Sequence, residues 1–334
     1  MTVGNAFSDG CSRVRRAPTL VAGLWLTSFL LAWPLALTLR GQLAAHLGSS
    51  LAADSAAAGV NFDWWNEFLA QAVGVGQTFV PAILGFAAVL KNVGALADAQ
   101  RVPPVILAVL SAHILMSMFV TGGVLDRLAR DRRIGSYGFF AACGLYFFRF
   151  LRLAVIAAPV YWWLFIVLHA WLFDELYPRV TRDVTVERTA LMYRVLLYAV
   201  FGVIVAAVNV LFDYAKVRMV VEDRRSAIGA LTSATRFLIG NTRAAAALYF
   251  LDVLIFLLVV AAYGVVVPGA GGGITAWLGF LIGQLYIALR VSVRLLFAAT
   301  EIALFQSRLA HAGYTAAPIP VWPDSPAAEA ILPE

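Results

Sequence analysis

The chain has 334 residues, of which 62% are hydrophobic and 13% are charged, and its mean hydropathy is +0.84. Soluble domains carry about 25% charged residues, so this composition excludes an ordinary soluble protein and indicates a polytopic membrane protein. The net charge of +6 comes without a basic run interleaved with aromatic residues, so no nucleic-acid partner is predicted. The two cysteines, Cys11 and Cys143, form no C-x-x-C pair and predict neither a disulfide nor a zinc site.

The first 16 residues form a short basic segment, which contains Arg13, Arg15 and Arg16. The apolar run that follows is longer than that of a signal peptide and has no clear cleavage site after it, so we expect an uncleaved first span. Five further runs are long enough to cross a hydrocarbon core of about 30 Å. The six predicted spans are 17–39, 104–125, 153–173, 195–214, 244–267 and 274–297.

The distribution of basic residues decides between six and seven spans, because the run 77–89 is a shorter seventh candidate. With six spans and a cytoplasmic N-terminus, 18 of the 25 Lys and Arg residues lie on the cytoplasmic side. Counting 77–89 as a span would place most of them outside, against the positive-inside rule. We therefore predict an all-α, six-span membrane domain, 17–315, in the bacterial cytoplasmic (inner) membrane, with the N- and C-termini both cytoplasmic.

Two segments lie outside the predicted spans. The segment 41–103 is expected to be an extracytoplasmic helical insertion, in which Asn61 or Asp63 can cap a helix whose apolar side includes Trp64. The run 77–89 is expected to be a helix that lies against the bundle or dips partly into the membrane. The segment 316–334 is rich in proline and predicts a disordered cytoplasmic tail.

Two D-R-R motifs lie 92 residues apart, and each directly follows a predicted span. Their residues are Asp131, Arg132 and Arg133 in the first motif, and Asp223, Arg224 and Arg225 in the second. Each motif precedes a predicted short amphipathic helix, 136–151 or 226–239, which begins with a serine that can act as N-cap. We expect both helices to lie at the cytoplasmic interface. The even spacing favours an internal repeat of one helical hairpin in parallel orientation, and chance convergence of two cytoplasmic loops is the alternative.

The second motif lies in the stretch DYAKVRMVVEDRRSAIGALTSATRFLIGNTRAAAALYFL. This stretch resembles a broad group of bacterial six-span membrane proteins, which includes the membrane domain fused to some glycerophosphodiester phosphodiesterases. The matching residues are Asp213, Ser226, Ala230, Leu231, Ser233, Arg236, Phe237 and Asn241. The resemblance covers about 60 residues and implies a fold and a topology, but no reaction.

Ionisable and polar residues in or beside the spans are the candidate functional residues, because a charge is costly to bury in a bilayer. Asp252 and Arg290 come to similar depths in neighbouring predicted spans, so an ion pair between them is expected. The full candidate set is Asn209, Asp213, Arg236, Asp252, Arg290 and Arg294. These residues either hold helices together or line a polar cleft, open to the cytoplasm, that binds an anionic headgroup. A proton or ion pathway through Asp252 is a third interpretation.

The four histidines are scattered, with no pair at helical spacing, so no metal site and no cofactor are predicted. The leading expectation is a non-enzymatic integral membrane protein that binds anionic membrane lipids or a partner at its cytoplasmic face. That partner would be another membrane protein or a second copy of the chain. One alternative is a small-solute or proton-coupled transporter that uses Asp252 and Arg290. Another, with less support, is an intramembrane lipid-modifying enzyme.

Overall fold

The structure is a computed structural model that describes residues 2–48, 50–79, 94–95, 97–99, 104–131, 134–269 and 272–308. Within these ranges every regular element is a helix, and six helices are long and apolar enough to cross a membrane. The prediction of an all-helical chain with six helices able to span a membrane is therefore confirmed. Arg132, Arg133, the tail 316–334 and the run 77–89 from residue 80 onward lie outside the described residues.

Six long helices form the candidate spans. They are α2 (Pro18–Leu47), α5 (Pro104–Arg130), α6 (Ser136–Thr181), α7 (Glu187–Val221), α8 (Ala227–Val266) and α9 (Ile274–Arg308). The shorter helices in the described residues are α1 (Val3–Arg15), α3 (Ala53–Ala58) and α4 (Phe62–Gln71), the last followed by a 3-10 turn at Gly74–Thr78. Most long helices extend beyond the predicted apolar runs, because apolarity marks only the lipid-facing part of a helix that continues into polar surroundings.

The basic N-terminal segment contains helix α1, which its composition does not predict. Thr2 caps the helix by accepting a hydrogen bond from the Asn5 backbone N–H, at 3.3 Å. Helix α1 packs against α9 so closely that a Cβ atom on Gly10 would lie 2.6 Å from Cγ2 of Thr300. The N-terminal segment is therefore part of the bundle, and the glycine at position 10 permits this contact.

The two D-R-R motifs begin with turns of the same backbone conformation. Asp131 (φ 46°) and Asp223 (φ 50°) both lie in the left-handed region, which aspartate tolerates better than most residues. An arginine pairs with each carboxylate: Arg16 contacts Asp131 at 2.7 Å, and Arg149 contacts Asp223 at 2.6 Å. Each motif therefore ends one long helix and is anchored by an arginine from elsewhere in the bundle: Arg16 lies in the turn between α1 and α2, and Arg149 lies on α6.

The segments predicted as short helices after each motif are continuous with the following spans. Helix α8 begins after Ser226, whose side chain accepts from the Gly229 N–H at 3.1 Å, as predicted. It then leaves helical geometry at Asn241 (φ −130°, ψ 23°), which separates its first section from the span. Helix α6 begins at Ser136 and has Gly135 at its N-cap position, so the predicted serine cap is wrong for the first motif.

The protein core lies at the end of the bundle that carries the two motifs, which we call the motif end. Leu128, Met219 and Ile302 are fully buried there, on the parts of α5, α7 and α9 that approach this end. Further from the motif end, the long helices expose large side chains such as Trp162 and Trp277. This distribution suits a bundle whose middle faces lipid, since apolar side chains there need no protein neighbours.

Helix α4 lies in the predicted insertion and docks on the first span. The Asn61 side chain accepts from the Trp64 N–H at 3.0 Å, which confirms the predicted cap. The Trp64 indole donates to Nδ1 of His46 on α2, also at 3.0 Å. Because α2 extends to Leu47, the first residues of the segment 41–103 continue the first span.

Candidate functional site

A cavity of about 360 Å³ lies among helices α5, α6, α7 and α9. Its polar lining consists of His113, Ser117, Thr121, Tyr161, Lys216 and Arg294. These positions lie on four of the six helices that are long and apolar enough to cross a membrane.

Two cationic side chains line the cavity, and they differ in their pairing. The Lys216 ammonium contacts Asp213, one turn away on α7, at 2.5 Å. The Arg294 guanidinium forms no hydrogen bond or ion pair with any other described residue, although Asp213 acts on it electrostatically. The cavity thus carries an excess of positive charge, because one carboxylate serves two cations.

The rest of the cavity wall is apolar. Ile114 and Met118 contribute from α5, and Leu153 and Ala157 contribute from α6. The side chains of Phe150 and Phe212 complete this apolar wall. An apolar wall with a few convergent polar groups is the usual composition of a small-molecule site. This cavity has the amphipathic character that suits a ligand with an anionic group and a hydrocarbon part.

The structure brings three of the six predicted site residues to the cavity. Arg294 lines it directly. Asp213 adjoins it through Lys216, and Asn209 adjoins it by accepting a hydrogen bond from the hydroxyl of Tyr161, which lines the wall. Asn209 therefore orients a cavity side chain, and Asp213 sets the charge balance of the cavity.

The other three predicted residues lie elsewhere. Arg236 near the start of α8 and Arg290 on α9 are both exposed, and neither is among the residues that line the cavity. Arg290 nevertheless acts electrostatically on the cavity residues His113 and Arg294. The expected ion pair between Asp252 and Arg290 is wrong. Asp252 instead lies level with Thr300, ten residues further along α9, a displacement of about 15 Å along the helix. The relative shift of α8 and α9 cannot be derived from the lengths of their apolar runs.

Asp252 is one of the most deeply buried ionisable residues in the described part of the chain. Its side chain is 1% exposed, and Oδ2 lies 2.7 Å from Oγ1 of Thr300. Glu301, the residue next to Thr300, is also buried. These acidic side chains form a second polar region, separate from the cavity.

The second D-R-R motif borders a more open cavity of about 480 Å³. Arg152 and Arg225 line it, together with the N-cap residue Ser226. The Arg152 guanidinium donates to the backbone carbonyl of Arg225 at 3.4 Å, and Arg224 pairs with Glu222 at 2.5 Å. The arginines of this motif therefore take part in the structure of the turn, beyond their contribution to surface charge.

Sequence reasoning missed several residues of the two polar regions. Lys216 follows Asp213 by three residues at the end of an apolar run, and that spacing was a usable signal for a paired cation. His113 and Tyr161 gave no comparable signal, because single polar residues in apolar helices occur in many positions without a ligand. Their convergence on one cavity depends on helix packing that the sequence pattern does not encode.

Comparisons with known proteins give this chain no relatives. No protein-family model, no curated protein and no solved structure matches it. The described residues also contain no group of three His, Cys, Asp or Glu side chains that could hold a metal ion. The resemblance of the second motif region therefore stays a prediction, and a functional assignment has to rest on the geometry of the cavity and its charges.

Proposed function

We propose that this protein is a non-enzymatic integral membrane protein that binds an anionic lipid in the cavity between α5, α6, α7 and α9. The observation that carries this proposal is the position of Lys216 and Arg294 in the otherwise largely apolar cavity wall. The lipid headgroup would contact the two cations. The acyl chain would extend along the apolar wall formed by α5 and α6.

The charge balance of the cavity supports an anionic occupant. A guanidinium group within a membrane is costly unless it is paired, and no described residue pairs with Arg294. Arginine offers a planar, bidentate donor to a phosphate or carboxylate, and lysine adds a point charge. The cavity volume of about 360 Å³ falls at the lower end of the usual range for ligand sites, so it accommodates a headgroup and part of one chain.

The topology we propose places the motif end in the cytoplasm, with both termini on that side of the bacterial inner membrane. The bias of basic residues toward this end supports that orientation. A membrane-impermeant maleimide tests it, because Cys11 lies on α1 at the motif end. The reagent should modify Cys11 in inverted membrane vesicles and not in intact spheroplasts, and the opposite result would reverse the orientation.

We also propose that the two motif regions derive from a duplicated helical hairpin. At the spacing of 92 residues, Asp126 and Arg130 on α5 correspond to Arg218 and Glu222 on α7. Both pairs form ion pairs, Arg130–Asp126 and Arg218–Glu222, each at 2.8 Å and with the charges exchanged between the copies. The shared left-handed conformation of Asp131 and Asp223 gives independent support.

Native mass spectrometry on the purified full-length protein tests the proposed lipid binding. Phosphatidylglycerol should bind more tightly than phosphatidylcholine, because only the former leaves a net negative charge for the cations. Arg294→Gln should weaken phosphatidylglycerol binding about tenfold, which corresponds to the loss of one charge-assisted hydrogen bond. Glycerol phosphate, which has the headgroup charge without the chains, should bind far more weakly than the lipid.

Arg290→Gln is the matched control for this experiment. It removes the same charge from the same helix, four residues away. Arg290 does not line the cavity but acts electrostatically on Arg294, so Arg290→Gln should weaken lipid binding by less than Arg294→Gln does. Equal losses of lipid binding in Arg294→Gln and Arg290→Gln would show a general surface-charge effect and contradict the proposed site. Equal affinities for phosphatidylglycerol and phosphatidylcholine would contradict the proposed selectivity.

A specific observation also favours a second function, proton-coupled transport. Asp252 is buried within a candidate span, which is the usual setting of a carboxyl group that carries protons across a membrane. The partner of Asp252 in such a mechanism would be Thr300, because Arg290 lies elsewhere. If Asp252→Asn abolishes a measured proton-dependent flux while the folded protein is retained, the transport function is favoured over lipid binding alone.

A further inference from the structure

Four polar side chains meet in a buried region between α7, α8 and α9, which we call the carboxyl cluster. It consists of Tyr214, Asp252, Thr300 and Glu301, whose exposed fractions are 2%, 1%, 0% and 5%. Thr300 contacts Asp252 directly, and Glu301 and Asp252 act electrostatically on each other and on Tyr214. The cluster is distinct from the cavity, since none of its residues lines that cavity.

The cluster contains several polar atoms that no described residue satisfies. These atoms are Oδ1 of Asp252, Oε1 of Glu301 and the hydroxyl of Tyr214. A buried polar atom without a hydrogen bond is costly, and a buried carboxylate without a partner is more costly still. Three such atoms in one region indicate that the cluster binds something that the protein side chains do not supply.

No described lysine or arginine neutralises the two carboxyl groups. An ion pair requires a nitrogen within 4.0 Å, and neither Asp252 nor Glu301 has one. Lys216 acts on Glu301 electrostatically, but its ammonium contacts Asp213 at 2.5 Å. Other charged or titratable groups surround the two carboxyl groups. On α1 these are Cys11 and its neighbour Arg15. On α7 they are Asp213, Tyr214 and Lys216, and on α8 Tyr249. This set does not supply a dedicated positive partner.

The two contacts of the Thr300 hydroxyl group distinguish a protonated Asp252 from an ionised one. Its Oγ1 lies 2.7 Å from Oδ2 of Asp252 and 2.9 Å from the carbonyl oxygen of Phe297. A hydroxyl group has one hydrogen and can donate to only one of these two oxygens. Both contacts become hydrogen bonds when Thr300 donates to Phe297 and a protonated Asp252 donates to Thr300.

We infer that the carboxyl cluster is a proton-binding site in which Asp252 and Glu301 carry protons in the folded protein. A proton neutralises each buried carboxyl group, which removes most of the cost of burying its charge, and a protonated Asp252 can donate to Thr300. Release of a proton from Glu301 would leave a carboxylate close to Lys216, which lines the cavity. The inference does not depend on lipid binding, because it rests on the burial and the contacts of the cluster itself.

Infrared spectroscopy of the full-length protein in a maltoside detergent, which has no carbonyl group, tests this inference. A protonated carboxyl group has a carbonyl stretch that is well separated from the carboxylate bands and shifts in D₂O. We expect two such components at neutral pH. Asp252→Asn and Glu301→Gln should each remove about half of the intensity, and the double variant should remove all of it. Asp54→Asn, at an exposed position on α3, is the control and should leave the signal unchanged.

Isotope labelling keeps the test decisive if a variant fails to fold. Carbon-13 in the side-chain carboxyl of aspartate should shift the Asp252 component in the unaltered protein, and labelled glutamate should shift the Glu301 component. Absence of both components at neutral pH would overturn the inference. Stoichiometric binding of radioactive sodium ions that Asp252→Asn abolishes would also overturn it, in favour of a sodium site.

Discussion

The cavity and the carboxyl cluster share helices α7 and α9 but differ in charge and in access. On α9, Arg294 lines the cavity and Glu301 belongs to the cluster, seven residues further toward the motif end, so both lie on similar faces about 10 Å apart. The cavity is open and has more cationic than anionic groups. The cluster is closed and has two carboxyl groups without a cationic partner.

This difference indicates separate physical roles for two polar regions that share two helices. An open site can exchange its occupant, so its side chains should affect ligand binding more than stability. A closed polar site is held by the packing around it, so changes there should affect stability first. The two regions are therefore separable by measuring unfolding and ligand binding on the same variants.

The largest effect on stability is expected where α1 closes the cluster. A Cβ atom at Gly10 would lie 2.9 Å from the backbone nitrogen of Thr300, which cannot move without displacing α9. Gly10→Leu should therefore lower the free energy of unfolding by about 3 kcal/mol, the upper part of the usual range for overpacking. Thermal unfolding in detergent measures this, with Gly4→Leu as control because no atom lies within 4 Å of a Cβ at Gly4.

Equal destabilisation by Gly10→Leu and Gly4→Leu would contradict the packing of α1 on α9. The helix would then be an independent surface element, and the cluster would be open on that side. The comparison between a closed cluster and an open cavity would no longer hold.

The second-largest effect on the free energy of unfolding is expected when the hydroxyl group of Thr300 is removed. Thr300→Val keeps the shape of the side chain but leaves Oδ2 of Asp252 without its hydrogen-bond partner. We expect a loss of about 1–3 kcal/mol in the free energy of unfolding, the usual cost of an unsatisfied buried polar group. Thr242→Val is the control, because that hydroxyl is exposed and bonds only to carbonyls of its own helix. A similar loss in both variants would assign the effect to the threonine type rather than to Asp252.

Much of the fold could be predicted from the sequence. The six spans follow from hydrophobic runs, and the caps at Asn61 and Ser226 follow from residue type, because both depend on local interactions. It was harder to predict whether each short helix after a D-R-R motif is separate from the span that follows it. Asn241 interrupts α8, whereas α6 continues through the corresponding region.

The candidate sites could be predicted only in part. Composition identifies Asp252 and Arg294 as ionisable residues in the spans, and both belong to a polar region. The partner of each residue depends on the axial offset and rotation of neighbouring helices, which apolar runs do not determine. Asp252 therefore lies beside Thr300 instead of Arg290, and the approach of α1 through Gly10 has no signal in hydropathy.

The third effect is expected in the cavity, where ligand binding should change without a comparable change in stability. Ala157→Leu would place a larger side chain into the cavity from α6. Phosphatidylglycerol binding should weaken about tenfold, which corresponds to about 1.4 kcal/mol. The free energy of unfolding should change by less than about 0.5 kcal/mol, because an existing void accepts the added atoms. Native mass spectrometry and thermal unfolding measure the two quantities.

Ala158→Leu provides the matched control for the cavity variant. The neighbouring position is exposed on the lipid-facing surface of α6 and does not line the cavity. Lipid binding should therefore be unchanged in Ala158→Leu. Equal weakening in both variants would place the bound lipid on the outer surface of the helix and contradict the cavity as its site.

The smallest effect is expected at Cys11, which reports on the charge of the cluster. Burial raises the pKa of the Cys11 thiol, Arg15 opposes that shift, and a negative charge on Asp252 would add to it. A raised pKa lowers the thiolate fraction at neutral pH, so maleimide modification should be slow and should accelerate as the pH rises above neutral. Cys11→Ser identifies the signal, since the remaining cysteine, Cys143, is buried.

The effect of Asp252→Asn on this rate distinguishes the two charge states of the cluster. If Asp252 is protonated, Asp252→Asn replaces one neutral group by another. The modification rate of Cys11 at neutral pH should then stay within about twofold of the rate in the unaltered protein, because a larger change would require a shift in the pKa of the Cys11 thiol. If Asp252 is ionised, its replacement removes a nearby negative charge, lowers the pKa of the thiol and accelerates the reaction. An accelerated rate in a folded Asp252→Asn protein would thus contradict a proton-filled cluster by a route that is independent of infrared spectroscopy.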